Sequence, residues 1–203
     1  MSGAGLPGTA GYGESADSLV GQYEGITFED VHRDVLHLMP AAPGAVMDIG
    51  AGTGRDAGAL AARGHTVVAV EPTPELRAHG RRLHPSPRIT WIDDGLPDLS
   101  AVMARAERFD LILLTAVWMH LDAAERVTAM ERVAGLLRPG GRVSLSLRHG
   151  PVPAGRRMFD VPAGETVDLG RRFGLEPLHA GEREDMLGRA DVRWSFVVLA
   201  RAL

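Results

Sequence analysis

Chemistry in this chain starts at Asp48-Ile49-Gly50-Ala51-Gly52-Thr53-Gly54, a carboxylate followed by three glycines at alternate positions. Glycines in that pattern let a backbone turn tightly and approach a ligand at the carboxyl edge of a sheet, where open α/β folds bind their ligands. A loop built for a dinucleotide pyrophosphate is spaced G-x-G-x-x-G, which counted from Gly50 requires a small residue at position 55, and Arg55 stands there instead. Asp48, ahead of the first glycine, is placed to accept a hydrogen bond from a ligand or to face a positively charged group on it. Glu71 follows the apolar run Val67-Val68-Ala69-Val70 and precedes Pro72. A carboxylate ending such a strand accepts hydrogen bonds from both hydroxyls of a ribose, so a ribose-bearing ligand is expected.

The elements that must position these groups are readable from periodicity. Residues 45–49 form a short apolar run before the glycines, residues 57–63 are helical in spacing, and Gly64 sits where a left-handed residue closes a helix. Residues 66–70 are continuous and β-branched, as in a strand buried on both faces. Helices are expected at 74–83, 98–108, 122–137 and 165–173, and strands at 88–92, 111–115, 142–147, 176–181 and 193–200. Asp122 with Glu125 reads as a capping box, and Arg138-Pro139-Gly140-Gly141 as a stop and turn. Before this series, residues 15–38 fit two short helices broken near Gly25, and residues 1–13, with five glycines and no apolar period, read as a flexible tail. Residues 14–203 are expected to form one α/β domain with a mostly parallel sheet.

Composition narrows the chemistry. The chain has 203 residues and no cysteine, which excludes disulfides, thiolate metal sites and a cysteine nucleophile, and no metal site is expected. All 22 basic residues are arginine, so a P-loop lysine and a Schiff-base lysine are excluded as well. A net charge of -4 argues against broad electrostatic binding of nucleic acid. No run reaches the length of a membrane span and residues 1–13 lack the features of a signal peptide, so a cytoplasmic protein, monomeric or homodimeric, is expected.

With these segments in order, the chain resembles the class I, Rossmann-like, seven-stranded family of S-adenosylmethionine-dependent methyltransferases, from about residue 45 onward. The glycine loop matches its first motif and Glu71 its ribose acid. Asp93-Asp94-Gly95-Leu96-Pro97 matches the adenine-contacting region, Phe109-Asp110-Leu111-Ile112-Leu113-Leu114 the fourth strand, and Leu136-Leu137-Arg138-Pro139-Gly140-Gly141 the turn before the fifth. The resemblance implies strand order 3-2-1-4-5-7-6 with the last strand antiparallel, at 192–200. It also implies S-adenosyl-L-methionine as cofactor and S-adenosyl-L-homocysteine as product. The implied contacts are Asp48, Gly50, Ala51, Gly52, Thr53, Gly54, Glu71, Pro72, Asp93, Asp94, Thr115 and Ala116, with Asp93 favoured over Asp94 at the adenine.

A small-molecule acceptor is implied because Thr115-Ala116-Val117-Trp118-Met119-His120 lacks the Asn/Asp-Pro-Pro-Tyr/Phe motif of nucleic-acid and protein-glutamine amino methyltransferases. Trp118 either walls the cleft or packs the sheet edge, and His120 is either a general base or a structural hydrogen-bonding residue. Arg148 and His149, after the fifth strand, are expected to bind an acidic group and to take a proton, with a solvated loop as the alternative. Tyr23 either closes over the cofactor or packs in the core, and residues 150–164, with Arg156, Arg157 and Phe159, are expected to form a substrate lid. A nicotinamide-dependent oxidoreductase is disfavoured by Arg55. A cofactor-binding partner subunit without catalysis and a protein or RNA methyltransferase stand as the alternatives.

Overall fold

The computed structural model describes residues 5–203. Seven strands form one sheet in the order β3-β2-β1-β4-β5-β7-β6. They are β1 (Ala45–Ile49), β2 (Thr66–Val70), β3 (Ile89–Ile92), β4 (Phe109–Thr115), β5 (Leu137–His149), β6 (Leu175–Glu184) and β7 (Arg193–Arg201). The first five run parallel, and β7 is inserted antiparallel between β5 and β6. The helices are α1 (Ala16–Glu24), α2 (Phe28–His32), α3 (Arg55–Ala62), α4 (Pro74–Leu83), α5 (Ser100–Met103), α6 (Ala123–Leu136) and α7 (Ala163–Arg172). The expected α/β architecture and strand order are both present.

The central strands are apolar throughout because helices cover both faces. Met47, Ile49, Val68, Val70, Ile112 and Leu114 enter one core cluster, whereas Val46, Val67, Ala69, Leu111 and Leu113 enter the other. Alternate residues of one strand therefore feed opposite layers, as a doubly covered sheet requires. No helix of the described residues is long and apolar enough to cross a membrane.

Three elements differ from the sequence expectation. The helix expected at 98–108 shrinks to Ser100–Met103, because Leu99 (φ 50°) and Ala106 (φ 53°) adopt left-handed backbone on either side. The expected turn at Arg138 to Gly141 is absorbed into β5, whose Leu137 already pairs with Phe109 before an irregularity in the ladder. Residues 5–13, expected to be a flexible tail, fold back over the sheet edge through a 3-10 turn at Pro7–Thr9. The Leu6 side chain packs on Gly95, and Arg156 donates to the Ala10 carbonyl. Such partners lie far along the chain, so no local period signals them; residues 1–4 of the expected tail lie outside the described residues. The capping box at Asp122 and Glu125 forms as expected.

Glycines make room for β3. A Cβ on Gly80 of α4 would lie 2.2 Å from the Trp91 ring, and one on Gly54 2.9 Å from it. Gly80→Ala is therefore expected to lower stability by about 1–3 kcal/mol through overpacking, despite alanine's better helix propensity. Urea denaturation checks the sign; a more stable variant would contradict this packing.

Candidate functional site

The carboxyl ends of β1, β2 and β4 open on a cavity of about 260 Å³. At its floor the glycine loop turns with Gly50, Gly52 and Gly54 all at positive φ (69°, 56° and 86°). The amides of Gly50 and Ala51 both donate to the Val70 carbonyl, which ties the loop to the end of β2. A Cβ on Gly50 would stand 2.4 Å from Val117 Cγ2, and the Tyr23 ring lies over Gly52. Only glycine satisfies both the backbone and the space at position 50.

Glu71, 4% exposed, reaches across this loop. Its Oε2 accepts the Gly52 N–H and its Oε1 the Thr73 N–H, each at 2.8 Å. Burial pushes its carboxyl up, and the two amides oppose that push. Asp48 is buried too, and its Oδ2 has no hydrogen-bond partner within the protein. Burial raises its carboxyl well above the usual range, and Asp56 adds to the rise. Asp56 behaves in the opposite way. Burial opposes its ionisation, but His32 and Arg55 overcome that and hold it well below the carboxylate range, with Thr115 Oγ1 also donating to it. An orphaned buried carboxylate oxygen, a second carboxylate at the end of β2 and a loop open enough for close backbone approach together suit a ligand with a cationic group and a ribose. They fit S-adenosylmethionine.

Most of the residues expected on this side are gathered here. Asp48, Gly50, Ala51, Gly52, Thr53, Glu71, Pro72, Thr115, Ala116 and Tyr23 line the cavity; Gly54, at the loop's end, packs on Trp91 instead. The two aspartates after β3 do not line it, whereas Gly95 and Leu96 do. Asp93 pairs with Arg77 at 3.2 Å. Asp94 is buried and accepts the Gly95 and Val102 amides, one on each oxygen.

The other end of the cavity departs further from expectation. Trp118 is fully buried in the core and does not wall the cleft. Ala116 takes left-handed backbone (φ 58°) with its amide on Ser146 Oγ, and the following turn at Trp118–His120 carries the indole inward. Val117 and His120 meet the cavity instead. Arg148 and His149 do not line it either. Neighbouring residues of a strand point to opposite faces. Ser146, with its β7 neighbours Phe196 and Trp194, faces the cavity side, while His149 binds Ser195 Oγ (2.7 Å) and Asp160 (2.8 Å) on the other. Arg148 shares the cavity side but turns its guanidinium to the Pro151 carbonyl.

Several lining residues carried no expectation. Trp194 and Phe196 come from β7, and Asp185 and Arg189 from the β6–β7 hairpin. Asp185 accepts from Arg189 and from the Trp194 indole N–H, and these bonds hold its carboxyl well below the usual range. Tyr12 was legible only as the one aromatic residue in a glycine-rich segment. Residues 150–162, part of the expected lid, are pinned by Arg157 to Asp122 and Glu125.

The sheet order and this cleft define the Rossmann-like methyltransferase fold. Residues 46–141 match the family model described as a methyltransferase domain. An uncharacterized methyltransferase of Mycobacterium tuberculosis is 34% identical over 138 residues, which is 64% of this chain and 51% of that protein. The chain thus spans about half the length of the curated relatives first matched. Among solved structures, a Burkholderia thailandensis 1,6-didemethyltoxoflavin-N1-methyltransferase, with bound 1,6-didemethyltoxoflavin and S-adenosylhomocysteine, superposes with a TM-score of 0.65. It is 23% identical, and the match covers 94% of this chain and 88% of that one. A TehB-like SAM-dependent methyltransferase from Corynebacterium glutamicum superposes with a TM-score of 0.69 at 21% identity, over 94% and 99% of the two chains.

Proposed function

We propose that this chain transfers the methyl group of S-adenosylmethionine to a small-molecule acceptor and leaves S-adenosylhomocysteine. The observation that carries this reading is the buried Glu71 carboxylate bonded across to the glycine loop beside the orphaned oxygen of Asp48. When bound, the cofactor supplies an electrophilic methyl carbon on a sulfonium. Glu71 would hold the ribose hydroxyls, and Asp48 would face the cationic part of the ligand. Leu76, Gly95 and Leu96 would offer the adenine an apolar wall. Neither Asp93, paired with Arg77, nor Asp94, bonded to two amides, lines the cavity, so the wall beside the adenine would come from Gly95 and Leu96. Holding the acceptor and methyl carbon aligned in an enclosed cavity is the main catalytic demand, since in-line transfer needs little covalent help.

The 1,6-didemethyltoxoflavin bound by the Burkholderia enzyme supports a small organic acceptor. So does the cavity's apolar end, lined by Val117, Leu121, Trp194 and Phe196. Calorimetric titration with S-adenosylmethionine, S-adenosylhomocysteine and NADH tests the reading. Binding of the two sulfur ligands at roughly micromolar affinity, about -8 kcal/mol, is expected, with no signal from NADH. Failure of both sulfur ligands to bind would overturn it.

A further inference from the structure

The strap formed by residues 5–13 brings Tyr12 into the cavity against His120. The Tyr12 hydroxyl lies 3.0 Å from His120 Nε2, with the rings edge-on at 5.6 Å between centroids. On the other side of the imidazole, Nδ1 lies 2.7 Å from the Arg157 carbonyl oxygen. A carbonyl can only accept, so Nδ1 carries the proton of the neutral ring, and Nε2 accepts the Tyr12 O–H. Arg157 fixes this arrangement by donating to the His120 carbonyl while paired with Asp122 and Glu125. Arg156 holds the phenol ring from above, with its guanidinium carbon 3.6 Å from the centroid. The Tyr23 ring covers Gly52 in the same cavity. The Tyr12 hydroxyl thus stands in the cavity bonded to a histidine with a set tautomer.

We propose that Tyr12 and His120 form a proton relay that deprotonates the acceptor, and that the acceptor is a hydroxyaromatic small molecule. The proposal rests on the methyl-transfer reading above. The titratable and charged groups facing His120 are Tyr12, Arg156 and Arg157. Burial, reinforced by the two arginines, keeps the imidazole below its ordinary 6.5, so it is in the neutral, proton-accepting form at neutral pH. Burial also raises the Tyr12 hydroxyl, which therefore passes a proton on rather than staying ionised.

The strength of such a base selects the acceptor. A phenol, with a pKa of about 10, is within its reach, whereas an aliphatic alcohol is far less acidic. A neutral amine attacks through its lone pair and needs no prior deprotonation. Trp194 and Phe196 offer flat apolar walls for a ring. In the step, the acceptor O–H proton passes to the Tyr12 oxygen as the Tyr12 proton passes to Nε2. The acceptor oxygen's electron pair forms the new O–C bond, and the pair of the broken C–S bond stays on sulfur. The imidazolium returns its proton to water after product leaves.

The test compares phenol with 4-nitrophenol, using methyl-labelled S-adenosylmethionine at a pH where only 4-nitrophenol is already ionised. Wild-type protein is expected to methylate both. Tyr12→Phe and His120→Gln are expected to slow methylation of phenol by about 100-fold and that of 4-nitrophenol far less. Equal losses on both acceptors would mean a merely structural role and overturn the relay. If wild type binds S-adenosylhomocysteine yet methylates neither phenol, the acceptor class is wrong and the methyl-transfer reading survives. If it does not bind, both fall together. Independently of turnover, nitrogen NMR of His120 should show the Nδ1-protonated tautomer and a titration midpoint that moves in Tyr12→Phe. An Nε2-protonated ring would overturn the relay.

Discussion

Glu71→Ala is expected to weaken S-adenosylhomocysteine binding by about 1.5–3 kcal/mol, roughly 10- to 150-fold in Kd, the range for hydrogen bonds to a charged group. The same substitution strips the Gly52 and Thr73 amides of their acceptor, so stability should fall as well. Glu71→Gln separates the two effects, because its carbonyl oxygen still accepts one amide while the charge is gone. The pH dependence has a definite sign. Burial raises this carboxyl above its ordinary 4.5 in the folded protein, so the native state holds the proton more tightly than the unfolded chain. Its contribution to the stability of the ligand-free protein is then complete below 4.5 and is lost as pH rises through the raised value. Calorimetry with the ligand and urea denaturation at several pH values measure both, and Glu71→Gln should remove this part of the slope. An alanine variant with undiminished affinity would refute the ribose assignment.

Gly50→Ala is expected to cost about 2–5 kcal/mol of stability and to abolish detectable ligand binding. An L-residue in left-handed backbone loses roughly 1–2 kcal/mol, and at φ 69° this position is firmly in that region. The added methyl would also meet Val117 Cγ2 at 2.4 Å, and relieving that overlap costs about 1–3 kcal/mol more. A double-mutant cycle with Val117→Ala divides the total. The pair should be less destabilised than the sum of the two single variants, because the steric share disappears while the backbone share remains. Strict additivity of the two losses would show that Val117 is not what the methyl meets.

The β1–glycine loop–α3 unit and Glu71 were legible because each depends on chemistry carried within a few neighbouring residues. Glycines permit the turn, a β-branched run makes a doubly buried strand, and a carboxylate ends it. The shortened α5 was not legible, because leucine and alanine rarely take the left-handed backbone found at Leu99 and Ala106. Trp118 followed the same logic: the left-handed Ala116 reverses the chain locally and sends the indole into the core. Arg148 and His149, expected after the fifth strand, are instead the last two residues of β5, paired with Trp194 and Arg193 of β7, and strand alternation puts them on opposite faces.

Taken alone, the sequence determined the α/β class, the order of βα units and the placing of Asp48 and Glu71 beside the glycine loop, since periodicity and turn chemistry act over short stretches. Only the tertiary structure decided what stands at the apolar end of the cavity. Tyr12, His120 and the β7 pair Trp194 and Phe196 come from three separate parts of the chain and meet because residues 5–13 fold back and β7 runs antiparallel beside β5. Contacts between residues so distant in sequence leave no local period, and the packing that brings them together exists only in the folded chain.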